Sequence, residues 1–175
     1  LEIIENHNTT LKQRIYSDGV QVARLDTEEI INWNSDNNPN LWNKKINSKS
    51  DYDIIILSDY NKGVFNNFRI TPMEHVPVIV DPKKDDFMQY VGANIITPNL
   101  NELQRASKIE INDDKSLVNA CNELIQECNF NYIIAKKGNK GMTIVGKNNF
   151  VKHIEAHSVE NPDVTGAGDT VIATL

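Results

Sequence analysis

The chain has 175 residues, of which 39% are hydrophobic and 24% are charged, and its formal net charge is −6. These values are typical of a single globular domain with its own core. The acidic balance argues against a nucleic-acid-binding surface, so a local group of basic residues would have to capture any anionic ligand. No stretch of about 20 apolar residues indicates a membrane span, and no signal peptide is recognisable.

The two cysteines, Cys121 and Cys128, fall on one predicted helix. Their spacing along that helix separates them by about 10 Å, which is too far for a disulfide. Neither lies at zinc-ligand spacing from a histidine or another cysteine. We therefore expect both thiols in the core of a protein from a reducing compartment, the cytoplasm.

A β-hairpin is the first predicted element, because residues 9–26 alternate in polarity around an Asp-Gly turn signal. Thr10, Lys12 and Arg14 recur with a period of two on the first arm and therefore share one face. That face suits a sugar phosphate, but charged residues also protect exposed strand edges, and the sequence leaves both interpretations open. The Asn-rich stretch 32–50 that follows is predicted to be a loop anchored by its two tryptophans.

Three apolar runs at 53–58, 76–80 and 93–97 predict successive buried strands of a parallel sheet. Polar residues follow each run, and open α/β sheets bind ligands at the carboxyl ends of their strands. Lys62 and Lys83 follow the first two strands, which suits convergence on a phosphate, and ordinary solvated lysines are the alternative. The connection after Gly63 is so short that we expect only a short or broken crossover helix.

A stripe of apolar residues predicts a helix that begins at Asp113 or Asp114 and continues to Cys128. A further strand is predicted at 132–135. A hairpin that pairs 142–145 with 150–154 follows it.

The segment 163–170 places small residues directly before an acid at the start of a helix. Small residues there let backbone N–H groups approach an anion, which the helix dipole also attracts. Asp169 is predicted to lie in the first turn of this helix, next to that anion. This arrangement suits phosphoryl transfer, because the amides can stabilise the charge of the transferred phosphoryl group and the carboxylate can take a proton from the acceptor. A glycine-rich turn that only caps a helix is the alternative.

The Gly-Ala-Gly-Asp segment resembles the phosphate-binding signature of the ribokinase-like (PfkB) carbohydrate kinases. Residues 99–102 resemble the N-x-x-E motif of the same family, although they also fit a helix N-cap with a capping box. Taken in order, six segments resemble the kinase domain of the D-glycero-β-D-manno-heptose 7-phosphate kinases, which is commonly fused to an adenylyltransferase. These segments are 9–14, 24–29, 57–63, 81–83, 97–102 and 163–170.

This resemblance implies an α/β fold with a mostly parallel sheet, flanking helices and a small β lid. We expect the lid at about 9–26 and the core at about 51–175, within a partial kinase domain whose N- and C-terminal parts lie outside 1–175. The implied reaction moves the γ-phosphoryl group of ATP to the anomeric hydroxyl of the heptose 7-phosphate, in ADP-heptose synthesis for lipopolysaccharide. Another sugar kinase of this fold and a non-catalytic nucleotide- or sugar-binding module remain alternatives. We also expect a homodimer formed through the lid.

The resemblance also implies roles for individual residues. Asp169 is the expected general base, and the expected anion-hole amides are those of Gly166, Ala167 and Gly168. Asn99 and Glu102 are expected to organise Mg²⁺. The expected nucleotide contacts are Asn99, Leu100, Asn101, Glu102, Lys136 and Gly138. The expected contacts to the sugar phosphate are Lys12, Arg14, Asp59, Lys62 and Lys83.

Overall fold

The structure is a computed structural model that describes residues 8–30, 52–66, 68–70, 72, 75–157 and 166–175. The loop predicted at 32–50, with Trp33 and Trp42, lies outside these residues. The same holds for 163–165, the first part of the glycine-rich segment.

The predicted N-terminal hairpin is confirmed. Strands β1 (Leu11–Ser17) and β2 (Val20–Thr27) pair antiparallel as a two-stranded sheet. Asp18 and Gly19 both take positive φ values, 51° and 79°, as a tight two-residue turn between twisted strands requires. The register shifts at Ile15 and Tyr16, where the hairpin carries a β-bulge.

A second sheet of six strands forms the body of the molecule. Its strands follow one another in space as they do in the chain. They are β3 (Ile55–Ser58), β4 (Val78–Asp81), β5 (Ile95–Ile96), β6 (Tyr132–Lys136), β7 (Met142–Gly146) and β8 (Phe150–Ile154). The pairings from β3 to β6 are parallel, and the pairings of β7 with β6 and with β8 are antiparallel, so the mostly parallel sheet is confirmed. The loops that follow the four parallel strands therefore emerge at one edge.

Three α-helices accompany the sheet in the described part of the chain: α1 (Leu100–Ser107), α2 (Asp114–Cys128) and α3 (Ala167–Ala173). Helix α2 begins where the sequence predicts, because the Asp113 side chain accepts the Ser116 N–H and caps it. Its predicted apolar face packs into the core beneath the sheet. None of the helices in the described ranges is long and apolar enough to cross a membrane.

Two expectations for the first half of the sheet are wrong. Strand β3 is not buried on both faces, because Ile56 is 44% exposed, and among the described strands β3 lies at the edge of the sheet with β4 as its neighbour. Among the described residues between Gly63 and Val76 the chain forms turns and no helix. The Asn66 N–H donates to the Gly63 carbonyl in one of these turns.

The two cysteines are free and buried, as expected. Burial raises the pKa of the Cys121 thiol to about 12 and that of the Cys128 thiol to about 11. At about pH 8 both thiols are therefore protonated, whereas a thiol reagent reacts with the thiolate.

We predict that a chromogenic disulfide reagent labels neither Cys121 nor Cys128 in the native protein and labels both in denaturant. Rapid labelling of one equivalent under native conditions would contradict this burial.

Candidate active site

The loop after β3 is fixed to the loop after β4 by a buried carboxylate. Asp59 accepts a hydrogen bond from the Tyr90 hydroxyl (2.7 Å) and another from the Asn61 N–H (2.6 Å). The Tyr90 oxygen in turn accepts the N–H groups of Lys83 and Lys84, each at 3.2 Å. Burial and the Asp59 hydrogen bond hold the pKa of Tyr90 far above its ordinary value. This arrangement gives Asp59 a structural role and does not fit the predicted contact with substrate.

A cleft of about 490 Å³ lies between the hairpin and the loop after β3. Its lining residues are Asn8, Thr10, Lys12, Glu28, Glu29, Tyr60, Lys62 and Val64. Glu28 pairs with both lysines: the Lys12 ammonium lies 3.8 Å from Oε1, and the Lys62 ammonium bonds Oε2. Two of the expected substrate lysines therefore share one cleft, whereas Arg14 does not line it.

Lys83 lies in a different environment from Lys62. Its ammonium is 3.1 Å from Glu102 Oε1, and it lines a second cleft with Lys84. The two lysines that follow β3 and β4 thus pair with different carboxylates in separate clefts. This does not fit the convergence of both lysines on one phosphate, because each already pairs with its own carboxylate.

The N-x-x-E motif forms a capping box at the start of α1. Asn99 Oδ1 accepts the Glu102 N–H (2.9 Å), and Glu102 Oε2 accepts the Asn99 N–H (2.8 Å). Glu102 is 3% exposed, and its other oxygen bonds Lys83, so each carboxylate oxygen has a hydrogen-bond partner. Leu100 packs against the core, and Asn101 is exposed.

The expected role of Asn99 and Glu102 in organising Mg²⁺ stays a prediction. Within the described ranges, no group of three or more His, Cys, Asp or Glu is arranged to hold a metal ion. Magnesium in proteins usually keeps several waters and binds through substrate phosphates. We assign it no direct protein ligand here.

Asp81, the last residue of β4, joins three strand ends at the centre of the sheet edge. Its Oδ1 accepts hydrogen bonds from Lys136 Nζ (2.6 Å) and Thr97 Oγ1 (2.9 Å). Lys136 also lies beside the N-terminus of α3, since a Cβ added to Gly168 would be 3.3 Å from its ammonium. Gly138, in contrast, is exposed, and a Cβ added to it would meet no atom within 4 Å outside its chain neighbours. The sequence analysis missed Asp81, although its place directly after an apolar strand was a usable signal.

Asp169 lies in the first turn of α3, as predicted. Gly166 precedes the helix in the left-handed conformation (φ 74°), which favours glycine. The Asp169 carboxylate accepts a hydrogen bond from the Tyr60 hydroxyl, with 3.3 Å between the oxygens. The predicted base therefore lies next to the cleft that holds Lys12 and Lys62. Tyr60 was also missed, although it stands between two residues that were singled out.

Comparison with known proteins identifies the family. The model of the pfkB family carbohydrate kinases matches residues 9–175. The chain belongs to this family. The bifunctional protein HldE of Rhodospirillum rubrum is 35% identical over 176 residues, which cover 97% of this chain and 36% of that protein. HldE of Aliarcobacter butzleri is 36% identical over 180 residues, covering 99% of this chain and 37% of that protein.

A solved structure with the same fold is that of ribokinase from Giardia lamblia. Its TM-score is 0.64 at 15% identity, and the match covers 97% of this chain and 54% of that one. The ribokinase-like fold of this pfkB chain is thereby confirmed. The chain spans little more than a third of the length of the HldE relatives that it matches.

The capping box generates a stability prediction. Glu102→Ala leaves the Asn99 N–H and the Lys83 ammonium without their partner, and we expect the free energy of unfolding to fall by about 1–3 kcal/mol. Glu123→Ala, on the exposed side of α2, is the matched control and should cost less than about 0.5 kcal/mol. Urea denaturation measures both. An equal decrease in the free energy of unfolding of the two variants would contradict the structural role of Glu102.

Proposed function

We propose that this pfkB protein phosphorylates D-glycero-β-D-manno-heptose 7-phosphate at its anomeric hydroxyl, using ATP and giving the 1,7-bisphosphate. The observation that carries the proposal is the contact of Asp169 with Tyr60, which brings the acid to the cleft of Lys12 and Lys62. The similarity to HldE across almost the whole chain supports the heptose phosphate as the acceptor. A nucleotide substrate and two free thiols favour the cytoplasm as the compartment.

In this proposal the sugar phosphate binds the two lysines of the cleft. Glu28 holds both ammonium groups on the same side of the cleft before substrate arrives. A phosphate carries more negative charge than a carboxylate and competes for the same donors, while lysine acts on it as a point charge. The cleft therefore favours an acceptor that is already phosphorylated.

The reacting end of the sugar then lies toward α3. Asp169 takes the proton of the anomeric hydroxyl, and the N–H groups of 166–168 stabilise charge on the phosphoryl group in flight. When bound, ATP supplies the γ-phosphoryl group. Lys136, beside Gly168 and paired with Asp81, is the side chain that would hold the phosphate end of the nucleotide.

The role of Asp169 is tested by Asp169→Asn. We expect turnover to fall by about 10²–10⁴-fold, with the affinity for ATP unchanged, because the amide keeps the shape but cannot take the proton. Asp85→Asn, which breaks only a surface pair with Arg105, should leave turnover unchanged. A coupled ADP-release assay measures turnover and calorimetry measures ATP binding. Normal turnover in Asp169→Asn would remove this residue from the mechanism.

The acceptor is tested by a panel of heptose 7-phosphate, fructose 6-phosphate and ribose. We expect the highest kcat/KM for the heptose phosphate and the lowest for ribose, which has no phosphate for Lys12 and Lys62. Lys62→Met should raise KM for the heptose phosphate by about 10-fold or more, with kcat retained. Lys147→Met, a surface lysine that bonds Asn129, is the control. A preference for another acceptor would overturn the assignment, and ATP binding without turnover would indicate a non-catalytic module.

We further propose that the hairpin forms a homodimer. Its register places Leu11, Ile15, Ala23 and Leu25 on one face, opposite the face that carries Lys12. Leu11 is 53% exposed and Leu25 is 57% exposed. Contiguous exposed apolar surface of this kind marks an interaction site. A second copy of the same hairpin offers the matching surface.

The dimer is tested by Leu25→Asp, which places a charge in the apolar face. We expect a dimer for the unaltered protein and a monomer for this variant in sedimentation velocity. Val91→Asp, at an exposed valine outside the hairpin, should remain dimeric. A monomeric unaltered protein, or a dimeric Leu25→Asp variant, would contradict the proposed interface.

A further inference from the structure

Tyr60 stands between the hairpin and the acid on α3. Its hydroxyl donates to Asp169 Oδ1 across 109 residues of sequence, at 3.3 Å. The Lys12 ammonium lies 5.5 Å from the centre of its ring, within the range of a cation–π interaction. Tyr60 is 52% exposed and lines the cleft, so it contacts both sides of the site from within it.

Asp169 needs such a contact to be held in one orientation. It is exposed on a helix of seven residues, where an aspartate side chain rotates freely unless a neighbour fixes it. Among the described residues, Tyr60 is the one whose side chain bonds the Asp169 carboxylate from another element. Proton transfer requires the base within hydrogen-bond reach of the hydroxyl, so its orientation affects the rate directly.

We propose that Tyr60 is a positioning residue whose hydroxyl orients Asp169 while its ring supports Lys12. This inference rests on the proposed function. One side chain then sets two distances at once, from the base to the accepting hydroxyl and from the lysine to the sugar phosphate. The hairpin thereby affects the orientation of the base through a single intervening ring.

The charges around Tyr60 keep its hydroxyl protonated, as this role requires. Asp169 on α3 and Asp81 at the end of β4 lie near the phenol, Lys12 on β1 lies over the ring, and Lys136 on β6 lies beside Gly168. Partial burial, and then the Asp169 and Asp81 carboxylates, raise the pKa of Tyr60 above its ordinary value. The hydroxyl therefore remains a donor to the carboxylate throughout the range in which the protein works.

Two substitutions at this position separate the two contacts. Tyr60→Phe removes the hydroxyl and keeps the ring, so we expect kcat to fall by about 10-fold with KM for the sugar phosphate unchanged. Tyr60→Leu removes the ring as well, and KM should also rise, by about 5-fold. Tyr132→Phe, at an exposed tyrosine on the far end of β6, should change neither constant. Circular dichroism verifies that each variant is folded.

A second measurement tests the contact without catalysis. With ¹³Cζ-labelled tyrosine, the resonance missing from Tyr60→Phe identifies Tyr60, and its pH titration reports the phenol pKa. The Asp169 carboxylate raises that pKa, so Asp169→Asn should lower it, whereas Asp85→Asn should not change it. A protein with no kinase activity but with this shift would overturn the proposed function and leave the contact established. Unchanged kcat in Tyr60→Phe, or an unchanged phenol pKa in Asp169→Asn, would overturn the positioning role.

Discussion

The carboxylate of Asp81 ties together the ends of the parallel strands on which the whole site is built. Its side chain accepts hydrogen bonds from the end of β6 and from the residue after β5, and its backbone carbonyl accepts the Asp59 N–H after β3. The pair with Lys136 is largely shielded from solvent, with 18% and 20% of the two side chains exposed. Such a pair is screened less than a surface ion pair, so it fixes the sheet edge more firmly. The loops that leave this edge therefore start from fixed positions.

The lysines at this edge of the sheet are divided between two clefts rather than gathered in one. Lys12 and Lys62 pair with Glu28 on one side, and Lys83 pairs with Glu102 on the other. A lysine that already pairs with a carboxylate binds an anion only if the anion displaces that carboxylate. Such lysines therefore discriminate among anionic ligands. An anion gains from binding only where its shape allows it to reach both lysines of one cleft. In the proposed function, this division allows a chain with a net charge of −6 to select among phosphate ligands.

The elements that depend on local sequence patterns were predictable. The Asp-Gly pair predicted the first hairpin, and an apolar stripe behind an aspartate predicted the start of α2 to within one residue. The edge position of β3 was not predictable, because an apolar run reports hydrophobicity and not the number of neighbouring strands. Within 59–62 the sequence singled out Asp59 and Lys62 as candidates and left out Tyr60. In the structure, Asp59 is buried and bonds Tyr90, whereas Tyr60 and Lys62 line the cleft. This difference depends on the fold and could not be read from the sequence.

The site depends on contacts between distant residues. Tyr60 and Asp169 meet across most of the chain, and Lys83 meets Glu102 across a strand and a turn. Motif resemblance identified both segments of each pair but not which side chains touch. Side-chain direction at a strand end depends on turn geometry and on neighbouring loops, which a single sequence does not specify. The division of the lysines between two clefts follows from that geometry.

The most direct test of this account is a crystal structure of the protein with a non-hydrolysable ATP analogue and heptose 7-phosphate. The account predicts that the anomeric hydroxyl lies about 2.6–3.2 Å from the Asp169 carboxylate, with the sugar phosphate on Lys12 and Lys62. A hydroxyl out of reach of Asp169, or a sugar phosphate held in the cleft of Lys83 and Lys84, would contradict it.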